Sequence, residues 1–121
     1  MFARRLLSIM CLCLLGCAGG EQPRVAVAGR VTYRGYGVRG GVIAFTPDKE
    51  RGSQGLDGKA NLTSDGSFTM PDGGLPPGWY RITIASLEVG LPARYRDPEL
   101  GNLAREVTAG NANRFDIVLE D

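Results

Sequence analysis

Beyond residue 24, the chain consists of short segments in which apolar and polar side chains alternate. Alternation with a period of two places every second side chain on one face, as in a β-strand with one buried side. No segment in this part sustains the 3.6-residue period of an amphipathic helix. The pattern predicts an all-β domain over residues 25–121, a single antiparallel sandwich of seven strands at 25–34, 38–46, 59–63, 68–70, 79–86, 105–108 and 114–120.

Turn-forming residues separate these segments and support this interpretation. Between the third and fourth predicted strands, Ser64–Ser67 has Asp-Gly at its centre, which accepts the positive φ of a tight hairpin turn. Gly29 lies inside the first segment, and we interpret it as a bulge. Seven strands in about 100 residues is the number expected of an immunoglobulin-like sandwich.

The first 16 residues have a different pattern, that of a secretion signal. Arg4 and Arg5 are followed by an apolar run over residues 6–15 that is interrupted only by Ser8. As a helix, a run of this length spans about 15 Å, which is about half of the hydrocarbon core of a bilayer. The run is therefore too short for a permanent transmembrane helix and has the length of a signal-peptide core.

The apolar run ends at Leu14, Leu15, Gly16 and Cys17, which together resemble the lipobox of bacterial lipoproteins. Leu15 departs from the Ala or Ser that is most common at its position. The resemblance implies cleavage before Cys17 and attachment of lipid to its thiol, with a signal peptide at 1–16 and a lipidated tether at 17–24. Several acyl chains hold a protein to a membrane far more firmly than one chain does. The alternative is an ordinary signal peptide with a chance cysteine.

Charge and composition exclude several classes of function. Removal of Arg4 and Arg5 with the signal peptide turns the formal net charge from +1 to −1, which leaves no basic field for nucleic acid. The chain has no histidine, and Cys11 and Cys13 leave with the signal peptide. These absences exclude imidazole-dependent catalysis, Cys-His nucleophiles and imidazole metal sites. We expect no nucleic-acid partner, no cofactor and no bound metal.

Carboxylate pairs are the remaining candidates for catalysis. Two such pairs could serve a glycosidase, namely Asp97 with Glu99 and Asp48 with Glu50. Each pair lies in a charged loop without an aromatic platform for a sugar. The acidic turns are spaced singly along the chain and are interpreted as turn residues and not as calcium ligands: Asp57, Asp65 and Asp72. We therefore expect a protein that is not an enzyme.

The predicted connection 87–104 is long for so small a domain, and long loops are often functional. It contains Arg94, Tyr95 and Arg96, which place a flat aromatic ring between two guanidinium groups. Such a surface suits sugars, carboxylates or a peptide partner. In the alternative interpretation, Tyr95 packs over the edge of the sandwich while the two arginines pair with Asp97 and Glu99.

Five segments resemble the carboxypeptidase-regulatory-like family: VAGRVTY at 27–33, GGVIAF at 40–45, TSDGSF at 63–68, PGWYRITI at 77–84 and VTAGN at 107–111. The resemblance covers most of residues 25–120 and implies a transthyretin-like sandwich, of which many small bacterial lipoproteins consist. Its motifs are turns and core positions, so they imply a fold and no activity. The hydroxyisourate hydrolases and iron dioxygenases of related architecture depend on histidines, which this chain lacks.

Together, these patterns predict a bacterial lipoprotein of the cell envelope, held to the membrane by lipid on Cys17. Its sandwich is expected to be a non-catalytic interaction or structural module with a protein or glycan partner. Ala18 and Gly19 follow the cysteine, where some lipoproteins carry an Asp that retains them at the inner membrane, and this favours the outer membrane. The alternative function is a carbohydrate-binding module that uses the loop aromatics Tyr95, Tyr36 and Trp79.

Overall fold

The computed structural model describes residues 23–53, 55–86, 90–110 and 112–121. The predicted signal peptide, the lipobox with Cys17 and all but the last two residues of the tether lie outside the described residues. The described chain forms eight strands: β1 (Val27–Tyr33), β2 (Tyr36–Gly37), β3 (Gly41–Pro47), β4 (Gly58–Leu62), β5 (Ser67–Thr69), β6 (Gly78–Ser86), β7 (Ala104–Val107) and β8 (Asn113–Leu119). Two short 3₁₀ helices lie in the connections, at Lys49–Arg51 and Ala93–Arg96.

The strands form two four-stranded sheets, which confirms the all-β sandwich. In sheet one, β1 lies at the centre, with β8 on one side and with β2 and β5 on the other. In sheet two, the order is β4-β3-β6-β7. No helix among the described residues is long and apolar enough to cross a membrane.

The strand number of seven is wrong, because the connection between the first two predicted strands contains an additional short strand, β2. β2 pairs with the end of β1 in sheet one, whereas β3 begins at Gly41 in sheet two. The chain crosses between the sheets at residues 38–40. Gly40 and Gly41 both have positive φ, at 67° and 153°, and glycine permits this change of direction because it has no Cβ.

The prediction of an entirely antiparallel sandwich is also wrong. β1 and β8 run parallel, from Val27 opposite Asn113 to Tyr33 opposite Leu119. The other pairs of named strands in the described chain are antiparallel. Hydrophobic alternation reports which face of a strand is buried but carries no information on the direction of a distant neighbour.

Gly29 does not form the predicted bulge. It lies at the middle of β1, in register with Phe68 of β5 on one side and Phe115 of β8 on the other. A Cβ built on Gly29 would lie 2.0 Å from the carbonyl oxygen of Phe115, far inside any real contact distance. Glycine is therefore required here because the backbones of β1 and β8 approach too closely to leave room for a side chain.

The core lies between the sheets and consists of alternate side chains from the strands. The largest side chains that are almost fully buried are Tyr80, Phe45, Ile43, Leu75, Ile82, Ile84 and Ile117. The Phe45 ring contacts the rings of Phe68, Tyr80 and Phe115, with centroid distances of 5.9 to 6.2 Å. The Tyr80 hydroxyl donates to the carbonyl oxygen of Pro76 at 2.6 Å, and burial raises the pKa of Tyr80.

Candidate functional site

The predicted contact aromatic Tyr95 is part of the core. Its side chain lies in the 3₁₀ helix Ala93–Arg96, which packs against β6, and is only 4% exposed. The Tyr95 hydroxyl lies between the backbone groups of Glu120. It donates to the carbonyl oxygen at 3.0 Å and accepts from the N–H at 2.8 Å. The long connection is therefore fastened to the end of β8 by this residue, in line with the edge-packing interpretation and not with an exposed binding platform.

Arg94 does not pair with Asp97 or Glu99 as the alternative interpretation proposed. Its guanidinium stacks over the Tyr95 ring, 4.6 Å from the centroid. It donates to the carbonyl oxygens of Glu120 at 2.8 Å and Asp121 at 3.2 Å. Arg96 is exposed, and within the described residues it takes part in no ion pair. The three predicted site residues consequently have different roles and do not form one surface.

A second tyrosine–arginine pair lies on the other side of the same segment. Tyr33, the last residue of β1, donates its hydroxyl proton to the carboxylate of Asp121. The Nε of Arg34 lies 2.9 Å from that carboxylate, and its guanidinium stacks 5.0 Å from the centroid of the Tyr33 ring. The hydrogen bond from Tyr33, followed by that from Arg34, lowers the pKa of Asp121. We call Tyr33, Arg34, Arg94 and Tyr95 the tyrosine–arginine clamp.

The clamp holds the backbone of Glu120 and the carboxylate of Asp121. Each guanidinium is oriented by a tyrosine ring, so it loses little freedom when it donates hydrogen bonds. Tyr36 projects beside the clamp, opposite Tyr33 in the β1–β2 register, and is 79% exposed. The side chain of Arg34 is 67% exposed. The candidate interaction surface is therefore the end of the sandwich that carries Arg34 and Tyr36.

A buried carboxylate organises the opposite end of the sandwich. The side chain of Asp48 is 2% exposed and lies 3.3 Å from the Nε of Arg81 and 3.5 Å from the Nε of Arg51. It also caps the 3₁₀ helix Lys49–Arg51 by accepting from the N–H of Glu50 at 3.2 Å. Glu50 in turn lies 2.7 Å from Arg81. The hydrogen bond with Asp48 raises the pKa of Arg81. The predicted pair Asp48 and Glu50 thus contacts arginines that hold a loop in place.

The other carboxylates have local roles in turns. Asp97 accepts from the N–H of Glu99 at 2.8 Å and closes the turn after the 3₁₀ helix Ala93–Arg96. Asp65 accepts from the hydroxyl of Thr63 at 2.6 Å and the N–H of Ser67 at 3.1 Å, and these bonds lower the pKa of Asp65 to about 2. The described part of the chain contains no group of three or more Asp, Glu, Cys or His side chains placed to hold a metal ion.

The two remaining aromatics for a glycan, the exposed Tyr36 and the half-buried Trp79, lie far apart. Tyr36 lies near the start of β3, whereas Trp79 lies next to the register partner of Pro47 at the end of β3. A strand of this length spans about 20 Å. One face of the Trp79 ring is covered by the guanidinium of Arg51, 4.2 Å from the ring centroid. Tyr36 and Trp79 therefore do not form one stacking platform.

A groove lies at the side of the sandwich, between β4 and β5. Its volume is about 520 Å³, and it is lined by Val42, Lys59, Ala60, Asn61, Thr63, Ser67, Phe68, Thr69 and Pro71. Lys59 is the one charged side chain of this lining. The groove therefore brings no two ionisable groups together.

The sequence prediction missed Tyr33, Arg34 and Asp121. A signal for two of them was present, because Tyr33-Arg34 and Arg94-Tyr95 are both adjacent tyrosine–arginine pairs. Nothing in the sequence showed that these two pairs meet around residues 120–121.

No family model matches the chain, and comparison with curated proteins finds no similar sequence. Among solved structures, a DUF3823 family protein from Bacteroides ovatus is similar, with 20% identity, a TM-score of 0.49 and coverage of 80% of this chain and 44% of that one. A DUF3823 family protein from Parabacteroides merdae has 17% identity, a TM-score of 0.48 and coverage of 83% and 46%. The chain spans less than half of the length of either structure.

Proposed function

We propose that this chain is a lipid-anchored lipoprotein of the bacterial cell envelope and that its sandwich is a non-catalytic interaction module. The observation that carries the proposal is the sequence Leu14–Cys17 at the end of a short apolar segment that follows two arginines. We further propose that the sandwich is a carboxypeptidase-regulatory-like domain of the transthyretin-like type, on the basis of its turn and core motifs. The residues after Cys17 favour the outer membrane.

The arrangement of the ionisable groups supports binding in preference to catalysis. A general acid or base must reach a substrate with a side chain that is free to exchange a proton. The carboxylate of Asp48 is buried between two arginines, and that of Asp97 accepts backbone hydrogen bonds in its own turn. Three of the four candidate carboxylates, those of Asp48, Glu50 and Asp97, therefore have structural contacts that account for them.

The path of the chain supports the end with Arg34 and Tyr36 as the interaction surface. Val25 bridges to Leu75 just before β1 begins, and Arg34 follows directly after β1 ends. Val25 and the candidate surface thus lie at opposite ends of a strand of about 20 Å. A lipid on Cys17 would consequently leave Arg34 and Tyr36 accessible to a protein partner in the envelope.

The anchor is tested by the substitution Cys17→Ser in the full chain, with Cys13→Ser as the matched control. Cells are labelled with an alkyne fatty acid, and membranes are separated from soluble material. We expect Cys17→Ser to lose the label and to leave the membrane fraction, whereas Cys13→Ser behaves like the parent because it lies in the removed segment. Labelling that persists in Cys17→Ser would refute the lipid attachment.

The interaction surface is tested with a photo-crosslinking amino acid at Tyr36, compared with the same amino acid at Leu56. Both side chains are exposed, at 79% and 60%, but Leu56 lies in the loop between β3 and β4 at the other end. We expect a discrete adduct from position 36 and none of the same mass from position 56. Equal adducts from both positions would contradict a defined surface.

A carbohydrate-binding module is the second candidate function, supported by the exposed ring of Tyr36. Tyr95, which was part of the original hypothesis, is buried and no longer supports it. A glycan array of the parent and of Tyr36→Ala separates the two functions. Sugar retained by the parent and lost by Tyr36→Ala would favour the carbohydrate module, whereas no sugar retained by the parent would exclude it.

A further inference from the structure

Among the described strands, β8 pairs only with β1 and therefore forms an edge of sheet one. Its odd-numbered residues direct their backbone groups towards β1, as shown by the N–H of Asn113, which donates to the carbonyl oxygen of Ala26 at 3.2 Å. Successive residues of a strand direct these groups to opposite sides. The N–H and C=O groups of Arg114, Asp116, Val118 and Glu120 therefore point away from β1, towards the open side of the sheet.

Only the last part of this edge is covered in the described structure. Both backbone groups of Glu120 bond to the Tyr95 hydroxyl, and its carbonyl oxygen also accepts from Arg94. Within the described ranges, the outward backbone groups of residues 114, 116 and 118 have no hydrogen-bond partner. The side chains of these residues are 63%, 73% and 64% exposed. An open stretch of strand is a template for pairing with another strand.

The charges along the open stretch of one copy are complementary to those of a second copy that runs antiparallel to it. Arg114 and Asp116 have opposite charges, lie two residues apart and project from the same face of sheet one. When two copies of β8 run antiparallel about a two-fold axis at Phe115, Arg114 of each copy lies opposite Asp116 of the other. Both cross-strand pairs are then attractive, and the pairs exchange backbone hydrogen bonds because both residues point outwards.

Neighbouring registers are less favourable. An axis at Asp116 would place the two Asp116 carboxylates directly opposite each other, which is repulsive. An axis at Ile117 would extend the pairing to Glu120, whose backbone groups are already bonded to Tyr95 and Arg94. The axis at Phe115 uses residues 113–117 of both copies, which lie within the uncovered stretch.

The other outer edges lack this pattern. β4 carries a single charge, Lys59. In β7, Arg105 and Glu106 are adjacent and therefore project from opposite faces of sheet two. Neither strand can place opposite charges in register with a second copy of itself.

We propose that β8 is a self-association surface and that its occupant is β8 of a second copy of this chain, antiparallel about an axis at Phe115. The two copies of sheet one become a single sheet, and the half-buried Phe115 rings meet at the axis. The two Val25 ends then lie at opposite ends of the dimer. An extended tether of residues 17–24 reaches about 25 Å, enough for both copies to attach to one membrane with their strands along its surface.

The proposal is tested by reversing the charges one at a time. Arg114→Asp gives a β8 with two acids, and Asp116→Arg gives a β8 with two arginines. Sedimentation equilibrium over a range of concentrations measures the association state of the full chain. The protein is in a non-ionic detergent, with fewer protein molecules than micelles. We expect the parent to dimerise and each single variant to dimerise about tenfold more weakly, because two attractive cross-strand pairs become repulsive.

The mixture of the two variants distinguishes this interface from a general loss of structure. In a mixed dimer, both acids of Arg114→Asp lie opposite both arginines of Asp116→Arg, so we expect heterodimers at about the parent strength. The double variant with both changes is expected to dimerise like the parent. Thermal unfolding of each variant verifies that it is folded before its assembly is interpreted.

Three results would overturn the proposal: a parent that is monomeric at every concentration, single variants that dimerise as strongly as the parent, or a mixture that forms no heterodimer. Detergent solution removes any dependence on lipid attachment. A failure of this test therefore leaves the proposed membrane anchor untouched.

Discussion

At the scale of the residue, Gly29 shows how closely the strands of sheet one approach. Its α-carbon lies in register with Phe68 and Phe115, so three strands converge at this position. The first atom of any side chain would overlap the backbone of β8. A tight turn at Asp65 and Gly66 joins β4 of sheet two to β5 of sheet one, and its carboxylate accepts from the Thr63 hydroxyl and the Ser67 N–H.

Gly29→Ala is expected to destabilise the domain by about 3 kcal/mol, because β8 must move away from β1 to admit the Cβ. Gly73→Ala is the control. A Cβ at Gly73 has nothing within 4 Å, and only the positive φ of 83° opposes it, so we expect a loss of about 1 kcal/mol. Urea denaturation of the two variants measures both values. Equal losses would mean that the two strands do not approach as closely as described.

The turn at Asp65 predicts a dependence of stability on low pH. The pKa of Asp65 is lowered to about 2 from an ordinary value near 4, so the folded state favours the ionised form. Its contribution to the free energy of unfolding is present above about pH 4 and is lost as the pH falls towards 2. We expect the difference in stability between the parent and Asp65→Asn to shrink over this range. A difference that stays constant down to pH 2, measured by urea denaturation at each pH, would contradict the lowered pKa.

The limits of sequence reasoning are visible at the same scale. Asp65-Gly66 was identified correctly as a tight turn because its chemistry is contained within five residues. The predicted hairpin is wrong, because the turn joins β4 of sheet two to β5 of sheet one and these strands do not pair. Gly29 was interpreted as a bulge because the sequence shows that a side chain is missing but not which strand requires the space. Tyr95 looked like an exposed contact residue for the same reason, since its hydroxyl partners at Glu120 lie 25 residues further along the chain.

At the scale of the element, the 3₁₀ helix Ala93–Arg96 connects the two sheets. It packs against β6 of sheet two, while Tyr95 and Arg94 bond to the end of β8 in sheet one. The 3₁₀ helix Lys49–Arg51 has a similar role at the opposite end, where Asp48 joins it to Arg81 of β6. Two short helices thus fasten long connections to the strands with polar contacts.

Tyr95→Phe keeps the buried ring and removes the hydroxyl that bonds to both backbone groups of Glu120. We expect a loss of about 1 kcal/mol and faster hydrogen exchange of the Glu120 amide, because these groups return to water. Tyr36→Phe is the matched control, since its ring is exposed, and no change is expected. An unchanged exchange rate at Glu120 in Tyr95→Phe would show that the Tyr95 hydroxyl does not bond to the backbone of Glu120.

Asp48→Ala removes a carboxylate that is almost fully buried against Arg81 and Arg51. We expect a loss of about 3 kcal/mol, because a half-buried guanidinium and the end of a 3₁₀ helix lose their partner. Asp121→Ala removes an ion pair in which both side chains are about two-thirds exposed, and we expect a much smaller loss. Thermal or urea unfolding compares the two, and similar losses would argue against the buried position of Asp48.

Element assignment from the sequence succeeded where periodicity was sufficient. The alternation in β6 predicted the inward side chains Tyr80, Ile82 and Ile84, and all three are buried. The short strand β2 and the parallel pairing of β1 with β8 were not predicted. Both depend on which strands become neighbours. For β8, the neighbour β1 lies more than 80 residues earlier in the sequence.

At the scale of the whole molecule, the sandwich has three distinct surfaces. One end carries the tyrosine–arginine clamp with the exposed Tyr36, the other end carries the loop held by Asp48, and the open side exposes β8. Val25, which precedes β1, lies at the end that carries the loop held by Asp48. The proposed lipid anchor therefore leaves the clamp end and the β8 edge accessible for contacts within the envelope.

The proposed attachment of this sandwich to a membrane depends on lipid on Cys17. Mass spectrometry of the amino-terminal peptide, from the protein extracted from its native membrane, tests this attachment. We expect a peptide that begins at Cys17 and carries a diacylglyceryl group on its sulfur. A different first residue, or a Cys17 with an unmodified thiol, would contradict it.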